Sequence, residues 1–147
     1  MAILDADTSI LLVDDEKDFV EVLSQRLEVK GFHVEAVYSG QDALDLLSHK
    51  SYDAIVMDLS MPGMDGMEAL KVIRERRPNM QIIILTGHGT LESGIEAMKR
   101  GASDFIEKPV DFDVLVNKII VAQNKRRELI EKKHTSELMK IMTSKGW

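Results

Sequence analysis

The sequence contains no cysteine and no long apolar run, although 44% of its 147 residues are apolar. Without cysteine, the chain can form neither a disulfide nor a thiolate metal site. No run approaches the roughly 20 apolar residues that a helix needs to cross a bilayer. The first residues also lack the basic start and apolar stretch of a secretory signal. We therefore expect a cytoplasmic protein whose fold depends on an apolar core.

Nucleotide-binding motifs and clustered basic residues are also missing from most of the chain. No GxGxxG or Walker sequence follows a predicted strand, which argues against a bound dinucleotide or nucleoside triphosphate. Residues 1–121 contain 12 Lys and Arg against 22 Asp and Glu, whereas residues 122–147 contain 7 against 3. Because phosphate contacts need clustered Lys and Arg, we expect no direct binding of nucleic acid by the acidic body.

Five short apolar runs are present, and each is followed by apolar residues at helical spacing. The runs cover residues 10–13, 33–37, 54–57, 81–85 and 103–106. Alternating strands and helices predict a parallel sheet with right-handed crossovers, and uninterrupted apolar strands indicate helices on both of its faces. We therefore predict an α/β fold with a doubly wound five-stranded parallel sheet in residues 1–122. Residues 123–147 are predicted to form a basic helical extension or linker stub.

Three glycines and one serine carry local signals within this pattern. Gly31 and Gly101 follow predicted helices and are typical of helix stops. Ser39 predicts a helix start that resembles a capping box. Gly94 lies inside the fourth predicted helix, where it costs about 1 kcal/mol relative to alanine. We expect that helix to have low local stability.

Polar side chains stand at the ends of four of the apolar runs. Asp14 and Asp15 follow the first run, Asp58 the third, Thr86 the fourth and Lys108 the fifth. In an open doubly wound sheet, the carboxyl ends of the strands form the ligand crevice. The sequence therefore predicts that these five side chains share one site.

The chemistry of this predicted site favours phosphoryl transfer. Three neighbouring carboxylates repel one another unless a cation neutralises them. Oxygen ligands without His or Cys select Mg²⁺, with Mn²⁺ as a substitute, and Mg²⁺ in such sites commonly contacts a phosphate. A carboxylate can itself accept a phosphoryl group, while Lys108 and Thr86 hold the other phosphoryl oxygens.

Four motifs, LLVDDE, IVMDLSMPGMDG, IILTGHGT and DFIEKP, resemble those of the receiver domain of two-component response regulators. The resemblance covers about residues 8–122 and is strongest to receivers of enhancer-binding transcription regulators. It implies the flavodoxin-like strand order 2-1-3-4-5. It also implies that the partner upstream is a sensor histidine kinase or a phosphotransfer protein. The chain is then no enzyme beyond catalysing its own phosphorylation and dephosphorylation.

The same resemblance implies roles for individual residues. Asp58 is the phosphorylated residue. Asp15, Asp58 and the backbone carbonyl of Ser60 bind Mg²⁺, and Asp14 acts largely through water. Thr86 and Lys108 contact the phosphoryl group as catalytic residues.

Three further features of the family pattern concern the end of the sheet. The peptide between Lys108 and Pro109 is implied to be cis. Thr86 and Phe105 are the implied switch residues, with residues 91–100 as the moving face. Because Phe105 stands where the family often has Tyr, any switch here works by packing without a phenolic hydroxyl.

Alternatives remain at this stage for the site and for the whole chain. Asp15 could cap the first helix instead of binding a metal. The chain could also be a pseudo-receiver, a phosphorylation-independent interaction module with the same fold. A flavin-binding protein of this topology is disfavoured, because the acidic LLVDDEKD segment would repel the ligand phosphate.

The basic tail allows three interpretations: an extension of the fifth helix, a dimerising stalk, or a linker to an output domain. Its apolar residues follow an imperfect heptad, so we expect a mostly monomeric chain with a weak or phosphorylation-enhanced homodimer. The downstream partner is then another protein or an output domain that is not present in the sequence.

Overall fold

The computed structural model describes residues 8–59, 66–87 and 91–144. Strands and helices alternate throughout, as the apolar pattern predicted. The elements are β1 (Ser9–Val13), α1 (Lys17–Val29), β2 (His33–Val37), α2 (Gly40–Leu47), β3 (Ala54–Asp58), α3 (Gly66–Arg76), β4 (Ile82–Thr86), α4 (Leu91–Lys99), β5 (Asp104–Glu107) and α5 (Phe112–Ser144).

The five strands form one parallel sheet in the order β2-β1-β3-β4-β5. Helices α2, α3 and α4 pack on one face through one apolar cluster. Helices α1 and α5 pack on the other face through a second cluster. Every residue of β3 and β4 is buried, as continuous apolar strands covered on both faces require. The predicted fold class and strand order are confirmed.

The local signals at helix ends are mostly confirmed. The Ser39 hydroxyl accepts a hydrogen bond of 3.1 Å from the Asp42 backbone N–H at the start of α2. Gly31 and Gly101 have φ angles of 102° and 111°, the left-handed region that glycine enters without a steric penalty. The alternative that Asp15 caps α1 is wrong, because Glu16 occupies the N-cap position and makes no side-chain cap bond.

Helix α4 presents its larger apolar residues to solvent. Gly94 and Ala97 are its buried residues, whereas Leu91, Ile95 and Met98 are exposed. The small side chains bring α4 close to the sheet and leave an apolar outer face. Helical spacing alone does not distinguish such a face from a core-facing one.

Helix α5 is continuous through the predicted domain boundary and is 33 residues long, about 50 Å at the α-helical rise. Arg126 attaches its middle to the domain through an ion pair of 3.4 Å with Asp53 and a hydrogen bond of 2.7 Å to the Ser51 hydroxyl. All residues from 131 to 141 are exposed. None of the helices in the described part of the chain is long and apolar enough to span a membrane.

Candidate functional site

The carboxyl ends of the strands meet at one edge of the sheet, and the predicted polar residues gather there. Asp58 ends β3 opposite Leu85, and Thr86 ends β4 opposite Glu107. The Lys108 backbone N–H donates a 2.8 Å hydrogen bond to the Thr86 carbonyl, which places Lys108 directly after β5 at the same edge. Asp14 follows β1, the other neighbour of β3. The sequence expected Asp58 and Thr86 just beyond their strands, whereas each is the last strand residue.

The Lys108 ammonium lies among three carboxylates. Its Nζ is 3.4 Å from Asp58 Oδ2, 3.5 Å from Asp14 Oδ2 and 3.6 Å from Glu16 Oε1. Asp14 is fully buried and Asp58 nearly so, whereas the Glu16 side chain is 64% exposed. Water screens these two buried carboxylates poorly, so the nearby Lys108 ammonium interacts strongly with both.

Burial and mutual charge shift two of these groups. Burial raises the pKa of the Asp14 carboxyl above its ordinary value, and the charge of Asp58 raises it further; the Glu16 backbone N–H and Lys108 oppose this shift. For Lys108, burial by itself lowers the pKa. The carboxylates of Asp58, Asp14 and Glu16 more than offset burial and raise the pKa of Lys108 above its ordinary value. Burial therefore disfavours the charged form of Asp14, whereas the surrounding carboxylates favour the charged form of Lys108.

The Thr86 hydroxyl is buried at the same edge and has no hydrogen-bond partner among the described residues. Buried hydroxyls are normally hydrogen-bonded, and an unpaired one costs free energy. An oxygen-rich anion bound beside Asp58 and Lys108 would supply the missing acceptor. The donor set at this edge therefore fits a phosphoryl group.

The structure also groups carboxylates in a way that suits a hard cation. One carboxylate oxygen each from Asp14, Glu16 and Asp58 lies within 4.8 Å of the others. Oxygen donors of this kind are what Mg²⁺ and Mn²⁺ prefer. Asp15 is half-buried and is not a member of this group, and its side chain forms no hydrogen bond or ion pair within residues 8–59, 66–87 and 91–144. Ser60, whose backbone carbonyl is a ligand by the family resemblance, lies outside the described residues.

Glu16 is the acidic residue at this edge that sequence reasoning missed. It is the third acid of the LLVDDE motif, so the sequence contained the signal. Its position was not predicted because Glu16 is the N-cap residue that precedes α1, and the direction of its side chain depends on how that helix starts. Asp14 Oδ1 accepts a 3.0 Å hydrogen bond from the Glu16 backbone N–H, which links the two acids locally.

The aromatic residue of β5 is in close contact with α4. Phe105 is half-buried, and a Cβ added at Gly94 would overlap its ring. Gly94 therefore allows α4 to approach the sheet at Phe105, the predicted switch residue. This contact explains a glycine within the helix, which helix propensity alone does not. The Lys108–Pro109 peptide, which directly follows β5, is cis, as the family resemblance implied.

We expect Gly94→Ala to lower the free energy of unfolding. Overpacking costs typically about 1–3 kcal/mol, whereas alanine gains at most about 1 kcal/mol of helix propensity over glycine. Urea denaturation of wild type, Gly94→Ala and the double variant Gly94→Ala/Phe105→Leu measures this, and the smaller Leu side chain should lessen the cost of the methyl group. A single variant about 1 kcal/mol more stable than wild type would show that the ring contact is unimportant.

We expect Asp14→Asn to stabilise the metal-free protein at neutral pH. Because the pKa of Asp14 is raised in the folded state, folding favours its protonated form, and its ionisation above that pKa weakens the fold. This contribution makes wild type more stable as the pH falls through the raised pKa. Melting temperatures across pH 4 to 8 in EDTA should therefore differ most at the neutral end. If the melting temperatures of Asp14→Asn and wild type differ by the same amount at every pH, a raised pKa of Asp14 is not the cause.

The chain is similar to known proteins over most of its length. A family model described as the response regulator receiver domain matches residues 10–120. The chain is 40% identical over 109 residues to an NtrX-like response regulator of Rickettsia bellii, covering 73% of this chain and 23% of that protein. It is 37% identical over 128 residues to the C4-dicarboxylate transport transcriptional regulatory protein DctD of Rhizobium meliloti, covering 87% and 28%.

Solved structures show the same likeness. The receiver domain of NtrX from Brucella abortus superposes with a TM-score of 0.71 at 30% identity, covering 80% of this chain and 98% of that one. A receiver domain protein from Clostridium thermocellum gives 0.79 at 35% identity, covering 83% and 98%. The chain spans about a quarter of the length of the two curated relatives.

Proposed function

Because the chain belongs to the family of response regulator receiver domains, we propose that it accepts a phosphoryl group on Asp58 from a sensor histidine kinase or a phosphotransfer protein. The family resemblance read from the four sequence motifs is confirmed. We also propose that this transfer to Asp58 depends on Mg²⁺ and that it changes a partner-binding face of the domain.

The arrangement of Asp58, Lys108 and Thr86 is the observation that carries this proposal. Asp58 supplies a nearly buried carboxylate at the end of β3, with the Lys108 ammonium 3.4 Å away. In the reaction, a carboxylate oxygen of Asp58 forms a bond to phosphorus as the bond from phosphorus to the donor atom breaks. The donor keeps the electron pair. Lys108 and the unpartnered Thr86 hydroxyl stabilise the phosphoryl oxygens.

The carboxylates at this edge are proposed to bind Mg²⁺, with Mn²⁺ as a substitute. Asp15 and Asp58 are proposed as direct ligands with the Ser60 backbone carbonyl, and Asp14 as a residue that acts through water. When bound, the metal neutralises the charge of the carboxylates and of the incoming phosphoryl group. The role of Asp15 rests on the family resemblance, because the carboxylates that the structure groups are those of Asp14, Glu16 and Asp58.

Phosphorylation is proposed to change the outer face of α4 through β4 and β5. The Thr86 hydroxyl would turn toward a phosphoryl oxygen, and the Phe105 ring, which contacts α4 at Gly94, would repack. Interfaces that have two packed arrangements convert small shifts of this kind into a changed surface. The exposed apolar residues of α4 are then the partner-binding face, and Leu91, Ile95 and Met98 are its members.

Hydrogen exchange with and without beryllofluoride tests this proposal, because beryllofluoride with Mg²⁺ mimics a phosphoryl group on an aspartate. We expect the largest change in exchange within residues 87–108, since that segment joins Thr86 to Phe105 through α4. Asp58→Asn with the same additions is the control and should show no change. A difference confined to residues 17–50 would contradict the proposed switch.

The extension of α5 is proposed as a linker, with residues 1–122 as the receiver. Its exposed apolar residues would contribute about 1.5–3 kcal/mol each if fully buried, whereas association costs about 4–15 kcal/mol. We therefore propose that the chain is mostly monomeric and that a homodimer formed through this tail is weak. Phosphorylation is proposed to strengthen any dimer through the face around α4 and β5. DctD is named a transcriptional regulatory protein, and we propose that the output of this switch is likewise control of transcription.

A further inference from the structure

We propose that Phe19 is a positioning residue that holds the Lys108 ammonium at the phosphoryl site when a metal ion neutralises the carboxylates around it. The inference rests on the proposed phosphoryl transfer and deepens it. It assigns a role to an aromatic residue of α1 that the four sequence motifs do not include.

The contact itself is a cation–π interaction. Lys108 Nζ lies over the ring of Phe19, 4.9 Å from its centroid, which is within the roughly 6 Å over which the ring quadrupole attracts a cation. Phe19 is half-buried and packs against the apolar cluster beneath α1 and α5. Its ring is therefore held by the core while one face remains available to the ammonium.

The carboxylates hold Lys108 loosely. Its three Nζ–oxygen distances are 3.4, 3.5 and 3.6 Å, longer than the roughly 2.7–2.9 Å of a strong charge-assisted hydrogen bond. Their attraction is electrostatic and weakens once a divalent cation shares the same carboxylates. The Lys108 side chain is 22% exposed, so without another contact the ammonium could move toward water.

The Phe19 ring is the contact that metal binding leaves in place. It carries no net charge, so a divalent cation does not compete for it and an incoming phosphoryl group is not repelled by it. It also accepts no hydrogen bond strong enough to occupy the ammonium protons that the phosphoryl oxygens need. Lys108 can therefore exchange carboxylate partners for phosphoryl partners while it stays over the ring.

The first test observes this contact directly by NMR. The ring current of Phe19 should shift the ε-methylene resonances of Lys108, and this shift should persist at saturating Mg²⁺. It should disappear in Phe19→Leu, which keeps an apolar side chain, and return in Phe19→Trp, which restores an aromatic face. Loss of the shift in wild type on addition of Mg²⁺ would overturn the proposal.

The second test measures the rate of phosphorylation by acetyl phosphate at saturating Mg²⁺, followed by intact mass. We expect Phe19→Leu to slow the reaction roughly three- to tenfold, the size of a partly desolvated cation–π contact, and Phe19→Trp to restore it. Phe32→Leu is the matched control, because it makes the same change in the same apolar cluster at the amino ends of the strands, the edge opposite Lys108. Its rate should equal that of wild type.

The two tests also separate this inference from the proposed function. If wild type gains no phosphoryl group, the proposed function fails, while the NMR experiment still reports whether Phe19 holds Lys108 beside bound metal. If wild type is phosphorylated and Phe19→Leu reacts at the same rate, the positioning role is wrong and the proposed function stands. Equal slowing in Phe32→Leu would show general loosening of the core and would also overturn the positioning role.

Discussion

Replacing Asp58 with Asn is expected to abolish phosphorylation of the chain. Wild type incubated with acetyl phosphate and Mg²⁺ should gain one phosphoryl group by intact mass, whereas Asp58→Asn should gain none. The amide keeps the size and planarity of the carboxylate but lacks the anionic oxygen that attacks phosphorus. The effect is therefore all-or-none.

The structure explains why a neighbouring acid should not replace Asp58. Asp14 is fully buried, and that burial raises the pKa of its carboxyl and so disfavours the anionic form that would attack phosphorus. The Glu16 side chain is mostly exposed to solvent. Asp45→Asn is the matched control, because it makes the same change on the exposed side of α2. It should be labelled like wild type. Labelling of Asp58→Asn to the wild-type extent would show that another residue is the acceptor.

Replacing Asp15 with Asn is expected to remove most of the affinity for Mg²⁺. A direct ligand contributes more than a group that acts through a bound water, whose loss typically costs about 10- to 100-fold in affinity. Calorimetric titration should therefore show a loss greater than 100-fold for Asp15→Asn and about 10- to 100-fold for Asp14→Asn. Removing a ligand also removes the stabilisation by metal, about 2.7 kcal/mol when Mg²⁺ is present at 100 times its dissociation constant.

Glu16→Gln is the informative comparison for this prediction. The structure groups the Glu16 carboxylate with Asp14 and Asp58, whereas the family resemblance points to Asp15. We expect Glu16→Gln to bind Mg²⁺ nearly as well as wild type, because the Glu16 side chain is mostly exposed and the family resemblance assigns it no role as a ligand. If Glu16→Gln loses more affinity than Asp15→Asn, the proposed ligand set is wrong.

The sequence was sufficient to predict that the site residues meet at one edge of the sheet. Apolar runs about five residues long predict strands, and the rule that parallel strands end at one edge brings Asp14, Asp58, Thr86 and Lys108 together. The structure places Lys108 Nζ 3.5 Å from Asp14 Oδ2, although the two residues are 94 positions apart in the chain. Topology places both residues at this edge, but β1 and β5 are separated by β3 and β4 in the sheet, so the contact also requires the long Lys108 side chain to extend along the edge.

Which side chains of a helix contact the sheet, and which face solvent, could not be predicted in this way. Helical spacing marked Leu91, Ile95 and Met98 as one apolar face but did not show that this face is turned to solvent. Gly94 was expected to weaken α4, and only the structure shows the Phe105 ring in the space beside it. Packing of this kind depends on the distance between a helix and a strand, which local propensity does not contain.

The sequence by itself therefore determined the order of the elements, the strand order through its family motifs, and the edge of the sheet at which the polar residues gather. These properties follow from local periodicity and from the few topologies that a parallel sheet allows. The tertiary structure decided that Glu16 and Phe19 approach Lys108, and that Asp14 is buried beside it. The reason is physical: contacts of a few ångström between separate elements depend on side-chain directions, which are fixed only when the helices and the sheet pack together.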